Sequence, residues 1–207
     1  MKNNFLLSWL MLAGITHHQS AAAQLPVPAS GKIIHHENFA SQYVDSRNVD
    51  VWLPENYSPS KKYAVLYMQD GQMLFDSTLT WNKQEWCVDE TISSLQQENK
   101  IKDCIVVGIW NTGAGRHSEY FPQKPFESLP KNLQDSVYNA YRSGGRSIFG
   151  GKPIISDRYL LFLTQELKPF IDKTYSTKKD RNNTFLAGSS MGALISLYTL
   201  CEYPQLF

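Results

Sequence analysis

The chain has 207 residues, 42% of them hydrophobic and 19% charged, with a formal net charge of +1. That length suits one domain with a substantial core, and the composition excludes a disordered chain. Near-neutral charge with no basic run longer than a Lys or Arg pair excludes a nucleic-acid partner held by its phosphates.

Lys2, the apolar stretch from Phe5 to Ile15 and the small residues Ala21-Ala22-Ala23 form the three parts of an export signal cleaved near Ala23. The apolar run is shorter than the roughly 20 residues that span a bilayer, and no cysteine adjoins the cleavage point. Residues 1–23 therefore read as a signal peptide, with no stable membrane anchor expected and the mature protein secreted or periplasmic. Residues 24–30, with Pro26 and Pro28, read as a linker, and residues 31–207 as the folded domain. Cys87, Cys104 and Cys201 are odd in number; each lies in an apolar run and reads as a small buried residue. The sequence selects no disulfide pair. No Cys/His spacing resembles a metal site, and no cofactor is expected.

Two early strands are predicted, Lys32 to Phe39 and Arg47 to Leu53; in the second, Val49, Val51 and Leu53 alternate with Asp50 and Trp52. Tyr63 to Met68 is a continuous apolar run, the mark of a strand covered on both faces. It leads into Gln69-Asp70-Gly71-Gln72, a glycine loop, and then into a helix predicted over Trp81 to Gln97 from the spacing of Trp86, Val88, Ile92 and Leu95. Cys104 to Trp110 is a further buried strand. Asn111 to Ser118 is a glycine-rich loop that runs into Arg116-His117-Ser118-Glu119-Tyr120. From Phe121 to Pro153 periodicity is weak, which predicts a long loop or lid. Gly145 to Lys152 fails as a phosphate loop, because its first glycine falls on Arg146 and Pro153 replaces the hydroxyl residue. A helix follows from Asp157 to Tyr175, capped by Ser156, with Leu160, Leu163, Leu167 and Phe170 as its buried stripe and Pro169 expected to kink it or end its first half.

The last stretch carries the chemistry. Asn183 to Tyr198 reads as a buried strand, a sharp turn and an apolar helix, and Gly188-Ser189-Ser190-Met191-Gly192 fits Gly-x-Ser-x-Gly with Ser190 at its centre. A serine in a strained strand-to-helix turn stands clear of the sheet, and residues without side chains must flank it. The Met191 amide, at the start of the helix, points to where an oxyanion would form. Strands alternating with helices predict an α/β fold with a mostly parallel sheet and ligands at the carboxyl ends of its strands.

In order and spacing, Val65 to Gln72, Val106 to Ile109, Arg116 with Glu119-Tyr120, Glu166 to Ile171 and Gly188 to Gly192 resemble the esterase branch of the α/β-hydrolase superfamily. That branch includes S-formylglutathione hydrolases, enterobactin-type siderophore esterases, feruloyl and acetyl esterases, and mycolyltransferases. The resemblance implies a three-layer sandwich, Ser190 as nucleophile, and the backbone amides of Gln72 and Met191 as the oxyanion hole. It gives Asp70, Gly71, Gly188 and Gly192 a supporting role in the loops, and places Asn111, Arg116, His117 and Glu119 as candidates for the pocket rim. Ala193 stands where many relatives carry glycine. The superfamily puts its acid and histidine after the serine, but the histidines here (His17, His18, His35, His36 and His117) all precede Ser190, and Glu202 is the only acid that follows it. The resemblance thus implies the N-terminal part of such a domain, without the triad Asp/Glu and His strands, and a hydrophobic edge beside the nucleophile strand that makes the chain poorly soluble. The implied partner is a small-molecule or carbohydrate-linked ester, attacked through an acyl-enzyme. Two alternatives stay open: acyl transfer at the same site, and a non-catalytic binding module with Tyr120, Phe121, Phe126, Tyr138, Tyr141 and Phe149 as its platform.

Overall fold

A computed structural model of the protein describes residues 24–141, 144–145 and 147–207. The expected export signal lies outside these residues. Among the described residues, five strands form one sheet: β1 (Lys32–Phe39), β2 (Arg47–Leu53), β3 (Ala64–Gln69), β4 (Cys104–Ile109) and β5 (Thr184–Ala187), in the order β1-β2-β4-β3-β5. β2 is antiparallel to both of its neighbours, while β3 is parallel to β4 and to β5, so the strands other than β2 share one direction. The mostly parallel α/β sheet expected from the sequence is the one observed.

The path from β3 to β4 runs one way across the sheet, and the path from β4 to β5 runs back past β3. Right-handed crossovers in opposite directions place their helices on opposite faces. Accordingly α1 (Val88–Gln97) covers one face; α2 (Arg116–Tyr120), α5 (Ser156–Leu161), a π turn (Phe162–Leu167), α6 (Lys168–Thr174) and α7 (Met191–Glu202) cover the other. The period of two in the strands feeds both layers. Val65 and Tyr67 of β3 and Ile105, Val107 and Ile109 of β4 join the core with Leu160, Leu163, Leu167 and Ile195. Leu66, Met68 and Val106 point the other way, towards Trp52, Leu74, Phe75 and Val88.

Several predicted features change. The helix after the glycine loop begins at Val88, not Trp81, because Lys83 (φ 57°) and Cys87 (φ 50°) adopt left-handed backbone that a helix cannot continue through. In β2, Asp50 and Trp52 are buried as fully as the valines they alternate with, since the strand is covered on both faces. Pro169 does not end its helix; the chain widens into the π turn just ahead of it, which absorbs the missing N–H. Ser156 is the first helical residue, and Ile155 occupies the cap position. The irregular 121–153 segment contains two short helices, α3 (Gln123–Glu127) and α4 (Lys131–Tyr138), neither with a buried residue. Both are short and only half-bury a few side chains, such as Phe126 and Tyr138, so no long apolar stripe announced them. All three cysteines are free, and only Cys104 is buried; Cys87 and Cys201 are exposed. The 24–30 segment is docked rather than trailing: Val27 N–H donates to Asp76 Oδ2, Ser30 N–H to Asp89 Oδ2, and the Ser30 carbonyl accepts from Trp52 Nε1. Among the described residues, no helix is long and apolar enough to cross a membrane.

Candidate active site

The sheet registers Gln69 of β3 opposite Ile109 of β4, and Met68 opposite Ala187 of β5. Three loops therefore leave adjacent strand ends side by side: the one carrying Asp70 to Gln72, the one carrying Asn111 to Arg116, and the turn with Ser190. Ser190 is exposed, with φ 55° and ψ −120°, and α7 starts at the next residue. That backbone region is costly for a residue with a side chain, and it holds Ser190 on a sharp strand-to-helix turn. The turn closes only because its flanks lack side chains: a Cβ on Gly188 would lie 2.5 Å from the carbonyl carbon and oxygen of Gly192. Among the described residues, Ser190 Oγ has no hydrogen-bond partner.

Gly71 brings the second loop just as close to the sheet, since a Cβ there would lie 2.4 Å from the carbonyl carbon of Gly108 in β4. Asp70 before it is left-handed (φ 61°, ψ 45°), and its carbonyl accepts from Met73 N–H at 2.9 Å. The Gln72 and Met191 N–H groups have no acceptor among the described residues. The Asp70 carboxylate receives Arg116 Nε and Nη2 at 2.7 Å each and Asn111 Nδ2 at 2.8 Å. Those bonds hold the Arg116 guanidinium above its ordinary pKa. Asp70 thus ties two loops together. Asn111, Arg116 and His117 line a cleft of about 760 Å³ with Asp70, Gln72, Met73 and Trp81, but Glu119 does not. Glu119 is 2% exposed and takes both Arg47 Nη groups, at 2.8 and 2.9 Å, so the expectation that it sits on the rim is corrected. It lies on the inward side of α2, where only an ion pair makes burial of a carboxylate tolerable.

Neither histidine of β1 serves Ser190. His35 Nδ1 meets Asp50 Oδ1 at 2.5 Å, and His36 Nε2 meets the Tyr175 hydroxyl at 2.7 Å. The sequence missed the Arg47–Glu119 pair, whose members lie 72 residues apart, and the position of Trp81, which is 86% exposed at the cleft instead of on a helix. The Thr80-Trp81-Asn82 polarity was the available sign of a turn. A second, apolar cavity of about 420 Å³ runs along β5 and α7 and reaches Gly188 and Ala193. The aromatic platform is also corrected: Tyr120 and Phe149 are buried, and Phe149 stacks on Tyr138 and packs edge-on to Phe121.

A three-layer arrangement with a serine turn between β5 and α7 defines the α/β-hydrolase fold class. The profile of the "Putative esterase" family matches residues 41–207, and the chain belongs to that family. Two curated proteins of Bacillus subtilis (strain 168) are similar, the uncharacterized proteins YjcH (25% identity, covering 87% of this chain and 60% of that protein) and YbbA (26%, covering 78% and 54%). The chain thus spans somewhat over half the length of these relatives. Among solved structures, an IroE-like serine hydrolase from Shewanella oneidensis matches with a TM-score of 0.61 at 23% identity, covering 85% of this chain and 48% of that one. A CE1 ferulic acid esterase from Anaeromyces mucronatus, in complex with ferulic acid, matches with a TM-score of 0.55 at 23% identity, covering 86% and 56%. At these identities the structures speak for the fold.

Proposed function

We propose that the protein is an exported serine carboxylic-ester hydrolase. Ser190 Oγ attacks the ester carbonyl, the N–H groups of Gln72 and Met191 receive the charge on the tetrahedral oxygen, the alcohol departs, and water then cleaves the acyl-Ser190 ester. The observation that carries this reading is Ser190 itself, exposed at φ 55° on a turn that Gly188 and Gly192 allow to close. Each oxyanion donor is worth about 3 to 4 kcal/mol of transition-state stabilisation. Membership of the esterase family and the free N–H groups support the assignment. Export rests on the signal read in residues 1–23. A small-molecule or carbohydrate-linked ester as substrate is supported by neighbours solved with ferulic acid and sinapinate; acyl transfer to an alcohol is distinguished by the products formed when one is added.

A serine hydroxyl without a base is a weak nucleophile. In this reading the base is not His35 or His36, which are engaged on β1. The described residues then supply the nucleophile and oxyanion half of the site. A fluorophosphonate probe tests the proposal: mass spectrometry is expected to find the adduct on Ser190, formed faster when imidazole is added, and absent from Ser190→Ala. Adduct elsewhere, or none on folded protein with imidazole present, overturns it. The second outcome would favour a binding module.

A further inference from the structure

We infer that the Asp70 carboxylate, gripped by Arg116 and Asn111, is the strut that sets the spacing of the two oxyanion donors, so that Arg116 is a positioning residue for the reaction. The inference rests on Ser190 being the nucleophile and deepens that assignment.

Sheet pairing alone leaves the donors loosely related. The β3–β5 register ends at Met68 opposite Ala187, and both Gln72 and Met191 lie beyond it. What spans the gap is Asp70. Arg116 meets it fork to fork, which fixes the plane of the carboxylate as well as its position. The pair is shielded, with side-chain exposures of 22% for Arg116 and 5% for Asp70. The guanidinium carbon sits 5.3 Å from the ring centre of Tyr120, itself fully buried, so the clamp rests on a fixed surface. A second tie runs from Asn111 N–H to Gln72 Oε1 at 3.2 Å.

The same carboxylate also touches the serine turn. A Cβ on Gly192 would lie 3.0 Å from Asp70 Oδ2 and 3.0 Å from Gln69 Cβ, so the first turn of α7 abuts Asp70 directly. One donor, Gln72, is two residues after Asp70; the other, Met191, immediately precedes Gly192. An ion pair serving stability alone would have no reason to touch both loops. Reorienting this carboxylate moves one N–H relative to the other, and oxyanion stabilisation depends steeply on that geometry.

Phenylboronic acid is the probe. Ser190 Oγ forms a bond to boron, its proton passes to buffer, and the tetrahedral boronate places an oxygen in the oxyanion hole; ¹¹B NMR reads the tetrahedral signal and a titration gives affinity. Arg116→Met is expected to weaken binding on the order of tenfold or more, with Arg116→Lys intermediate because an ammonium cannot make the fork. Gly192→Ala, which pushes Asp70 from the opposite side, is expected to weaken it as well. Circular dichroism identifies which variants fold. Asn111→Ala, which removes a single bond to Asp70, supplies the comparison if Arg116→Met does not fold, and a several-fold loss is expected. Wild-type affinity in folded Arg116→Lys and Asn111→Ala, with only the melting temperature lowered, overturns the strut. Absence of a tetrahedral boron signal from the wild type overturns the Ser190 assignment, and the strut with it.

Discussion

The two edges of the sheet are built differently. At β1 the edge is polar and irregular: Lys32 and Glu37 are exposed, the pairing with β2 slips between His36 and Phe39, and Asn38 is left-handed. His36 reaches Tyr175 and packs edge-on to Phe170, while Phe39 packs against Phe162 and Phe170. At β5 the edge is short and apolar. Phe185 is 43% exposed, and Leu194, Leu197 and Leu200 of α7 are exposed beside it. Phe185 lines a cavity on each side of the strand, one against α7 and one against Leu66 and Ile92. Charges, bulges and left-handed residues are the usual means of blocking edge pairing, and only β1 has them. The β1 flank is finished as a surface, whereas the β5 flank, which carries the serine turn, presents the apolar character of an interior.

The comparison can be broken most severely at the β1 flank, if its buried charges are not what seals it. Arg47 lies over the rings of Tyr159 and Phe162 and holds Glu119, both partners nearly inaccessible. Arg47→Met is expected to cost about 3 to 5 kcal/mol in urea unfolding, because it leaves Glu119 buried and unpaired. A loss under about 1 kcal/mol, the range of a surface pair, would count against a sealed flank.

At the other flank, Gly188→Ala places a methyl against the Gly192 backbone and is expected to slow probe labelling of Ser190 by about 100-fold. Labelling at the wild-type rate would mean that the turn tolerates opening. The edges themselves are compared by sedimentation velocity: the wild type is expected to self-associate with rising concentration, and Phe185→Lys with Leu197→Lys to restore a monomer. Ile34→Lys, at a residue of β1 that is 38% exposed, is the control expected to change nothing.

The smallest effect concerns pH. Burial, and then the neighbouring His35, lower the pKa of His36 from 6.5. Below 6.5 the unfolded chain binds the proton more readily, so this residue makes stability fall as pH falls through 6.5, with the loss complete below the folded pKa. Asp50, raised from 3.8 by burial, acts with the opposite sign: its stabilisation is lost as pH rises through its folded value. His36→Gln is expected to flatten the acid-side slope in thermal melts from pH 5 to 7, roughly the range over which histidine titrates. An unchanged slope would remove His36 from the account of the β1 edge.

Much of this architecture could be read from local pattern. Lys32 to Phe39 and Arg47 to Leu53 are strands with the predicted ends, and Ser190 sits on the strand-to-helix turn that its glycines required. Such features depend on neighbours in sequence: side-chain period, backbone freedom at glycine, and turn chemistry. Trp81 misled as a helix start because extending the helical spacing of Trp86, Val88, Ile92 and Leu95 back to it runs through left-handed Lys83 and Cys87, which a helix does not permit. Glu119 misled because adjacency to Arg116 and His117 says nothing about which side of a one-turn helix faces inward.

By itself the sequence determined the alternation of strands and helices, their order along the chain and the serine on the sharp turn, since each is written in short-range periodicity and in positions that only glycine can fill. The tertiary structure alone decided which charges pair, Arg47 with Glu119 and Arg116 with Asp70. It also decided that one sheet edge is finished and the other apolar. The physical reason is distance: these partners are 72 and 46 residues apart, and a carboxylate's environment is fixed by whatever the fold brings beside it.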